Sequence, residues 1–202
     1  VTVDELIPLT RAVVRASTSA MVIADLPFGS YETSPEQALA TSTRFFKEAG
    51  AMGVKLEGAH VKTIEKLVAS GIPVMGHVGL TPQALHQLGG YRVQGRTDGD
   101  VIMEAALAIE KAGAFAVVLE LVSAELAGTI TAALSIPTIG IGAGINCDAQ
   151  VLVWTDLMGI TKNPPKLAKA YRNLRAEMLA AAGEFAADVK SGDFPGPGQT
   201  FN

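Results

Sequence analysis

The stretch Val54-Lys55-Leu56-Glu57-Gly58 places two opposite charges at the end of an apolar run. The residues before it, Ala51-Met52-Gly53, are small or apolar, and Gly50 and Gly58 bracket the segment. A short apolar run between glycines reads as a buried strand of a parallel sheet. Side chains alternate along a strand, so Lys55 and Glu57 share one face and Val54 and Leu56 the other. Burying a lysine beside a glutamate requires partners for both. Three other apolar runs end in the same way: Met21-Val22-Ile23-Ala24 at Asp25, Pro73-Val74-Met75-Gly76 at His77, and Ala116-Val117-Val118-Leu119 at Glu120. A titratable group at the carboxyl end of each strand favours a closed (β/α) barrel, whose sites gather at that end. An open doubly wound sheet is the alternative, and it concentrates its site at one switch point.

Outward from that stretch, the chain alternates helix and strand. Residues 3–16 carry an apolar helical face of Val3, Leu6, Ile7, Val13 and Val14. Ser34-Pro35-Glu36-Gln37 is a helix start, with Ser34 as N-cap, Pro35 at the first helical position and Gln37 completing a capping box. Helices near 35–49, 60–70 and 98–112 each stop at a glycine (Gly50, Gly71, Gly113) and lead into a strand. A helix from Ser123 to Leu134 precedes a strand at 137–142, and Val151-Leu152-Val153-Trp154 is a sixth, weaker strand pattern. The expected organisation is a single (β/α) barrel domain over 1–202, with a long C-terminal helix over 164–191 and an irregular tail over 192–202. Leu167, Tyr171, Leu174, Met178 and Phe185 share one face of that helix. A TIM barrel, (β/α)8, needs two more βα units than these six strands provide, and they are expected upstream of Val1.

Composition narrows the function classes. The 202 residues are 49% hydrophobic with mean hydropathy +0.31, as in a globular protein. No run reaches the roughly 18 apolar residues of a membrane span. A net charge of −4 with scattered basic residues argues against a nucleic-acid surface. The single cysteine, Cys147, reads as a small buried hydrophobe and suits a reducing cytoplasm.

The strand-end residues carry the chemistry. Asp25 and Glu57 are oxygen donors of the kind magnesium uses, with water and substrate completing its shell; capping a helix or pairing with a lysine is the plain alternative. Lys55 suits a Schiff-base nucleophile, a cation holding a substrate carboxylate, or a structural ion pair. Its proximity to Glu57 favours the charged amine. His77 joins the cluster or serves as a hydrogen-bonded core residue, while His60 and His86 sit in polar helical contexts. Glu120 follows Val117-Val118-Leu119 and precedes Leu121-Val122, an apolar setting that suits a general base. Gly140-x-Gly142-x-Gly144 resembles a phosphate cradle weakly and suits close backbone approach equally. The polar stretch Gln87–Arg96 beyond His77 reads as a surface loop or a lid.

Several phrases together resemble the ketopantoate hydroxymethyltransferase family. They are Ala24-Asp25-Leu26-Pro27-Phe28, Val54-Lys55-Leu56-Glu57-Gly58, Gly71-Ile72-Pro73-Val74-Met75-Gly76-His77-Val78-Gly79-Leu80-Thr81-Pro82-Gln83, Leu88-Gly89-Gly90-Tyr91-Arg92-Val93-Gln94-Gly95-Arg96, Val118-Leu119-Glu120 and Ile136-Pro137-Thr138-Ile139-Gly140-Ile141-Gly142-Ala143-Gly144. The resemblance implies a (β/α)8 barrel in a large homo-oligomer, typically a decamer. It implies transfer of a hydroxymethyl group from the co-substrate 5,10-methylenetetrahydrofolate to 3-methyl-2-oxobutanoate, giving 2-dehydropantoate for pantothenate biosynthesis. By the same resemblance Asp25 and Glu57 are Mg2+ ligands, Asp25, Lys55 and His77 contact the keto acid, and Glu120 is the proton acceptor. The family's Asp-Ser pair, which binds metal and substrate, has no counterpart in these residues. Cys147-Asp148-Ala149-Gln150 also replaces the family's Cys-Asp-Gly-Gln, and Thr155 stands where a larger polar residue is expected. Three rivals remain at this level: another magnesium–enolate barrel of the phosphoenolpyruvate mutase and isocitrate lyase type, a class I aldolase using Lys55, and a non-catalytic keto-acid-binding subunit.

Overall fold

Thr2 begins the first helix, α1 (Val3–Ala16), by reciprocal capping: the Glu5 N–H donates to Thr2 Oγ1 at 3.2 Å and the Thr2 N–H donates to Glu5 Oε2 at 2.7 Å. The computed structural model describes residues 1–84, 86, 90, 92–95 and 99–201. After strand β1 (Ile23–Asp25) comes α2 (Pro35–Arg44), with Ser34 Oγ accepting the Gln37 N–H at 3.1 Å. The Gln37 side chain accepts from the Thr33 N–H rather than that of Ser34, so the expected capping box closes one residue early. A π-helical turn, Phe45–Ala49, extends α2 to Gly50, whose φ of +78° ends it.

The helix–glycine–strand phrase then repeats as the sequence predicts. Strand β2 (Gly53–Lys55) follows Gly50, and α3 (Val61–Ala69) stops near Gly71 and leads to β3 (Val74–Gly79). Helix α4 (Gly99–Lys111) stops near Gly113 and leads to β4 (Ala116–Glu120). Helix α5 (Ala124–Ala133) precedes β5 (Thr138–Ile141).

The six strands are parallel and lie in the order β1-β2-β3-β4-β5-β6. Each crossover therefore moves one strand in the same direction, and no switch point exists among them. That excludes the doubly wound arrangement for this sheet. With uniformly right-handed crossovers, the connecting helices fall on one face. Gly76 shows which: a Cβ there would lie 2.5 Å from Ile109 Cγ2 on α4. Leu26, Phe45, Val54, Leu56, Ile64, Leu67, Val74, Ile109, Leu119 and Ile130, all fully buried, fill the core.

Three expectations shift. The sixth strand is β6 (Ala149–Gln150), two residues before the apolar run Val151–Trp154. Its ladder ends where the Val151 N–H donates to Gly140 O at 3.0 Å, and Trp154–Leu157 coils into the short helix α6. The long C-terminal helix, α7, spans Leu174–Ser191 and begins ten residues after Pro164. Pro164-Pro165 does not open it; Asn173 does, with Oδ1 accepting the Ala176 N–H at 3.3 Å. Leu167 and Tyr171 thus lie outside the helix whose face they were expected to share. Where one domain was expected over 1–202, the chain packs as two compact units, Val1–Val151 and Leu152–Asn202.

Candidate functional site

Strand register brings the predicted residues to one face. Asp25 pairs with Lys55, Lys55 with Met75, His77 with Val118, and Gly79 with Glu120. Partners in a parallel pair share a face and side chains alternate, so Asp25, Lys55, His77 and Glu120 all point to the same side. Gly76, of opposite parity to His77, faces α4. The charged groups therefore occupy the face away from the helices.

Their contacts form a chain across four strands. Lys55 Nζ lies 2.9 Å from Asp25 Oδ1 and 3.2 Å from His77 Nδ1. An ammonium has only donors, so Nδ1 accepts and the ring proton sits on Nε2. Nε2 lies 3.2 Å from Glu120 Oε2, without the alignment of a full hydrogen bond. Lys55 thus takes Asp25, not the adjacent Glu57, as its ion-pair partner.

Glu57 is only 7% exposed and is held from another direction. Its Oε2 accepts the Gln83 N–H at 2.9 Å, while Oε1 lies 3.9 Å from His77 Nδ1, beyond hydrogen-bonding reach. Burial raises the Glu57 carboxyl above the usual carboxylate range, against the lowering influence of the Gln83 N–H, His77 and Lys55. Asp25 is more open, its side chain 54% exposed. Glu120 ends a strand whose other four residues are buried. Leu121, immediately after it, adopts φ +49°, and a Cβ on Gly79 would collide with the Glu120 carbonyl oxygen. Backbone held in such a region collects at functional sites.

Sequence reasoning missed two residues. Tyr31 Oη donates to Gln83 Oε1 at 2.7 Å and accepts the Glu57 N–H at 3.2 Å. Gln83 Nε2 donates to Leu26 O at 2.9 Å. The available signals were Tyr31 in the turn-rich loop beyond Asp25 and Gln83 closing the phrase that begins at Gly71.

The remaining residues singled out stand apart from this cluster. His60 packs edge-on against the Tyr31 ring, with centroids 5.5 Å apart, and His86 is exposed. Gly144 lies so close to α5 that a Cβ would sit 2.5 Å from Ala124 Cβ, which is the close-approach role of a glycine loop. Cys147 is half-buried against the core, and burial pushes its thiol up. Of the loop predicted over 87–96, Gln87, Leu88, Gly89, Tyr91 and Arg96 lie outside the described residues. Gln94 forms a parallel bridge to Val122.

Fold and rim together define a six-stranded parallel α/β half-barrel with an acid–base cluster at its strand ends. The sequence profile of the ketopantoate hydroxymethyltransferase family matches residues 1–197. The 3-methyl-2-oxobutanoate hydroxymethyltransferase of Saccharopolyspora erythraea is 58% identical over 205 residues, spanning 100% of this chain and 70% of the relative. That of Acidothermus cellulolyticus is 59% identical over 202 residues, spanning 96% and 73%. The chain belongs to the ketopantoate hydroxymethyltransferase family.

Solved structures support the fold. A phosphonopyruvate hydrolase superposes with TM-score 0.56 at 16% identity, covering 95% of this chain and 68% of its own. A 2,3-dimethylmalate lyase, described as a phosphoenolpyruvate mutase/isocitrate lyase superfamily member, gives 0.53 at 15%, covering 100% and 72%. The rival barrel reading thus shares the architecture. The family match and the far higher identities decide against it as the activity.

Proposed function

We infer that this chain transfers a hydroxymethyl group to 3-methyl-2-oxobutanoate, giving 2-dehydropantoate in pantothenate biosynthesis. Family membership over nearly the whole chain carries the reading, and the rim geometry supplies parts that such a reaction needs. The keto acid carries a carboxylate, a carbonyl and a C3–H. Lys55, protonated between Asp25 and His77, offers a cation to the carboxylate. Glu120 takes the C3 proton; the C–H electron pair moves toward the carbonyl and returns to bond C3 to the one-carbon unit, whose bonds to the donor nitrogens break as those nitrogens regain protons, while water supplies the hydroxyl of the transferred group. His77, with its proton on Nε2, sits 3.2 Å from Glu120 Oε2, beside the base. Asp25 and His77 complete the contacts to the keto acid.

Asp25 and Glu57 fit a magnesium site by their donor chemistry: both are carboxylates, one is open, and Glu57 Oε1 accepts no hydrogen bond among the described residues. No group of three or more His, Cys, Asp or Glu is arranged to hold a metal among the described residues. Magnesium commonly takes only one or two protein carboxylates, so water and substrate would complete the shell. When bound, the ion supplies Lewis acidity toward the keto acid's carbonyl.

The finer expectations belong to the same proposal. The one-carbon donor is 5,10-methylenetetrahydrofolate, the setting is a closed eight-stranded barrel, and the protein is a cytoplasmic homo-oligomer, a decamer. Among the described residues no helix is long and apolar enough to cross a membrane.

Exchange of the keto acid's C3 proton with deuterated water, followed by NMR without folate, tests the core of the proposal. The expected result is enzyme-dependent exchange that chelation abolishes. Exchange surviving exhaustive chelation would remove the metal assignment, and no exchange at all would count against the activity.

A further inference from the structure

Three backbone segments meet around Glu57, and two uncharged side chains tie them together. Gln83 lies in the turn after β3, Tyr31 in the loop after β1, and Glu57 just beyond β2. Their hydrogen bonds close a ring: the Gln83 N–H to Glu57 Oε2, the Glu57 N–H to Tyr31 Oη, and Tyr31 Oη–H to Gln83 Oε1. The Gln83 amide also fastens the β1 loop through Leu26 O, one residue past Asp25. The Tyr31 ring is 2% exposed and braced by the His60 edge, so the hydroxyl has little freedom.

The consequence for Glu57 is directional. One carboxylate oxygen, Oε2, is fixed by a backbone donor, which leaves Oε1 as the oxygen presented to the rim. Both ends of the Tyr31 hydroxyl are used, as donor to Gln83 and as acceptor from Glu57, so removing it breaks two links of the ring at once. Partners behind a ligating carboxylate orient it and tune what it binds. We propose that Tyr31 and Gln83 are positioning residues that aim Glu57 Oε1 and anchor the loop that follows Asp25, so that the two carboxylates act as one cation site. The proposal rests on the reading of Asp25 and Glu57 as metal ligands.

The test is titration of the full chain with Mn2+, read by electron paramagnetic resonance of the free ion, in the absence of keto acid and folate. Glu57→Gln serves as the control for the ligand reading. Tyr31→Phe keeps the ring and its packing but removes both links, and Gln83→Ala removes the ties to Tyr31 and Leu26. Each should weaken Mn2+ binding by about 10- to 100-fold, the usual effect of losing a group behind a metal ligand. Affinities within twofold of the parent in both variants, with Glu57→Gln weakened, would overturn the positioning role alone. Parent-like affinity in Glu57→Gln would instead overturn the ligand reading beneath it. If Tyr31→Phe lowers the thermal midpoint by more than about 3 °C, roughly 1 kcal/mol for a chain this size, the half-buried Gln83→Ala variant gives the deciding titration.

Discussion

The rim of β1–β4 and the helix α7 use apolar residues in opposite ways. Along the rim, Val54, Leu56 and Leu119 are fully buried, and the polar groups Asp25, Lys55, His77 and Glu120 on the neighbouring positions contact one another in a chain. Along α7, Met178, Leu179, Phe185 and Val189 are between 51 and 62% exposed, and no residue of the helix is buried. Helix α7 is nonetheless well formed at its ends, capped by Asn173 and stopped by Gly192 at φ +84°. Local signals therefore suffice to build a helix, whereas the rim exists only because distant strands align in register. Apolar periodicity and burial are separate properties, and only the rim has both.

If the rim is the working region, its base should be the most sensitive position. Glu120→Gln keeps the shape and removes the basicity. Exchange of the C3 proton should fall about 100- to 10,000-fold, the usual worth of general-base assistance, with an unchanged thermal midpoint. Near-normal exchange would move the base to His77 or a bound water.

Gly79→Ala attacks the backbone beneath that base. Gly79 has φ +93°, and its Cβ would meet the Glu120 carbonyl oxygen and, at 2.6 Å, Val122 Cγ2. A strained conformation of this kind costs on the order of 1–3 kcal/mol, and the collision adds to it, so a loss of about 2–3 kcal/mol is expected in urea unfolding. A loss below about 0.5 kcal/mol, the scale of an ordinary surface change, would mean that β3 and β4 are not tightly apposed at the rim.

The sequence made this rim legible because each part of it leaves a local mark. Gly50, Gly71 and Gly113 punctuate helix from strand, and Asp25, His77 and Glu120 each interrupt an apolar run. Parity along a strand then assigns Lys55 and Glu57 to one face without any long-range knowledge. The Tyr31–Gln83 tie left no such mark, since its partners are 52 residues apart and uncharged. The pairing of Lys55 with Asp25 rather than Glu57 was equally hidden, because it depends on the β1–β2 register. The start of α7 was misread for a different reason. The apolar face Leu167, Tyr171, Leu174, Met178 and Phe185 runs on upstream past the true start, but the cap is Asn173, whose Oδ1 accepts the Ala176 N–H.

Burial of Glu57 has a consequence for stability. Its folded carboxyl titrates above the ordinary 4.5, chiefly through burial, so the ionised form is disfavoured in the native state. The native state then binds the proton more tightly than the unfolded chain. Stability is highest below the unfolded value and is lost as pH rises through the raised one. In chelated protein, Glu57→Gln should therefore be more stable than the parent at neutral pH, by less than Gly79→Ala loses. The gain should vanish below the ordinary carboxylate range. Denaturant unfolding at pH 7 and pH 4 measures both; a gain of equal size at the two would show that ionisation is not its source.

The smallest effect belongs to α7. Met178 is 61% exposed, so truncating it removes little buried apolar area. Met178→Ala should change unfolding free energy by no more than about 0.5 kcal/mol, as surface substitutions usually do, when measured at low protein concentration. A core truncation such as Ile64→Ala, at a fully buried position of α3, should cost about 2–5 kcal/mol in the same assay. The ratio of the two losses is the contrast between the regions in numerical form. It also has a built-in check, because burial by a second copy depends on concentration whereas burial within the chain does not. If the Met178→Ala loss grows as protein concentration rises, the apolar residues of α7 are covered in solution by another chain. If it is already above about 1 kcal/mol at the lowest concentration, well beyond an exposed side chain's share, the helix is packed within its own chain and the two regions are not as different as their exposures make them.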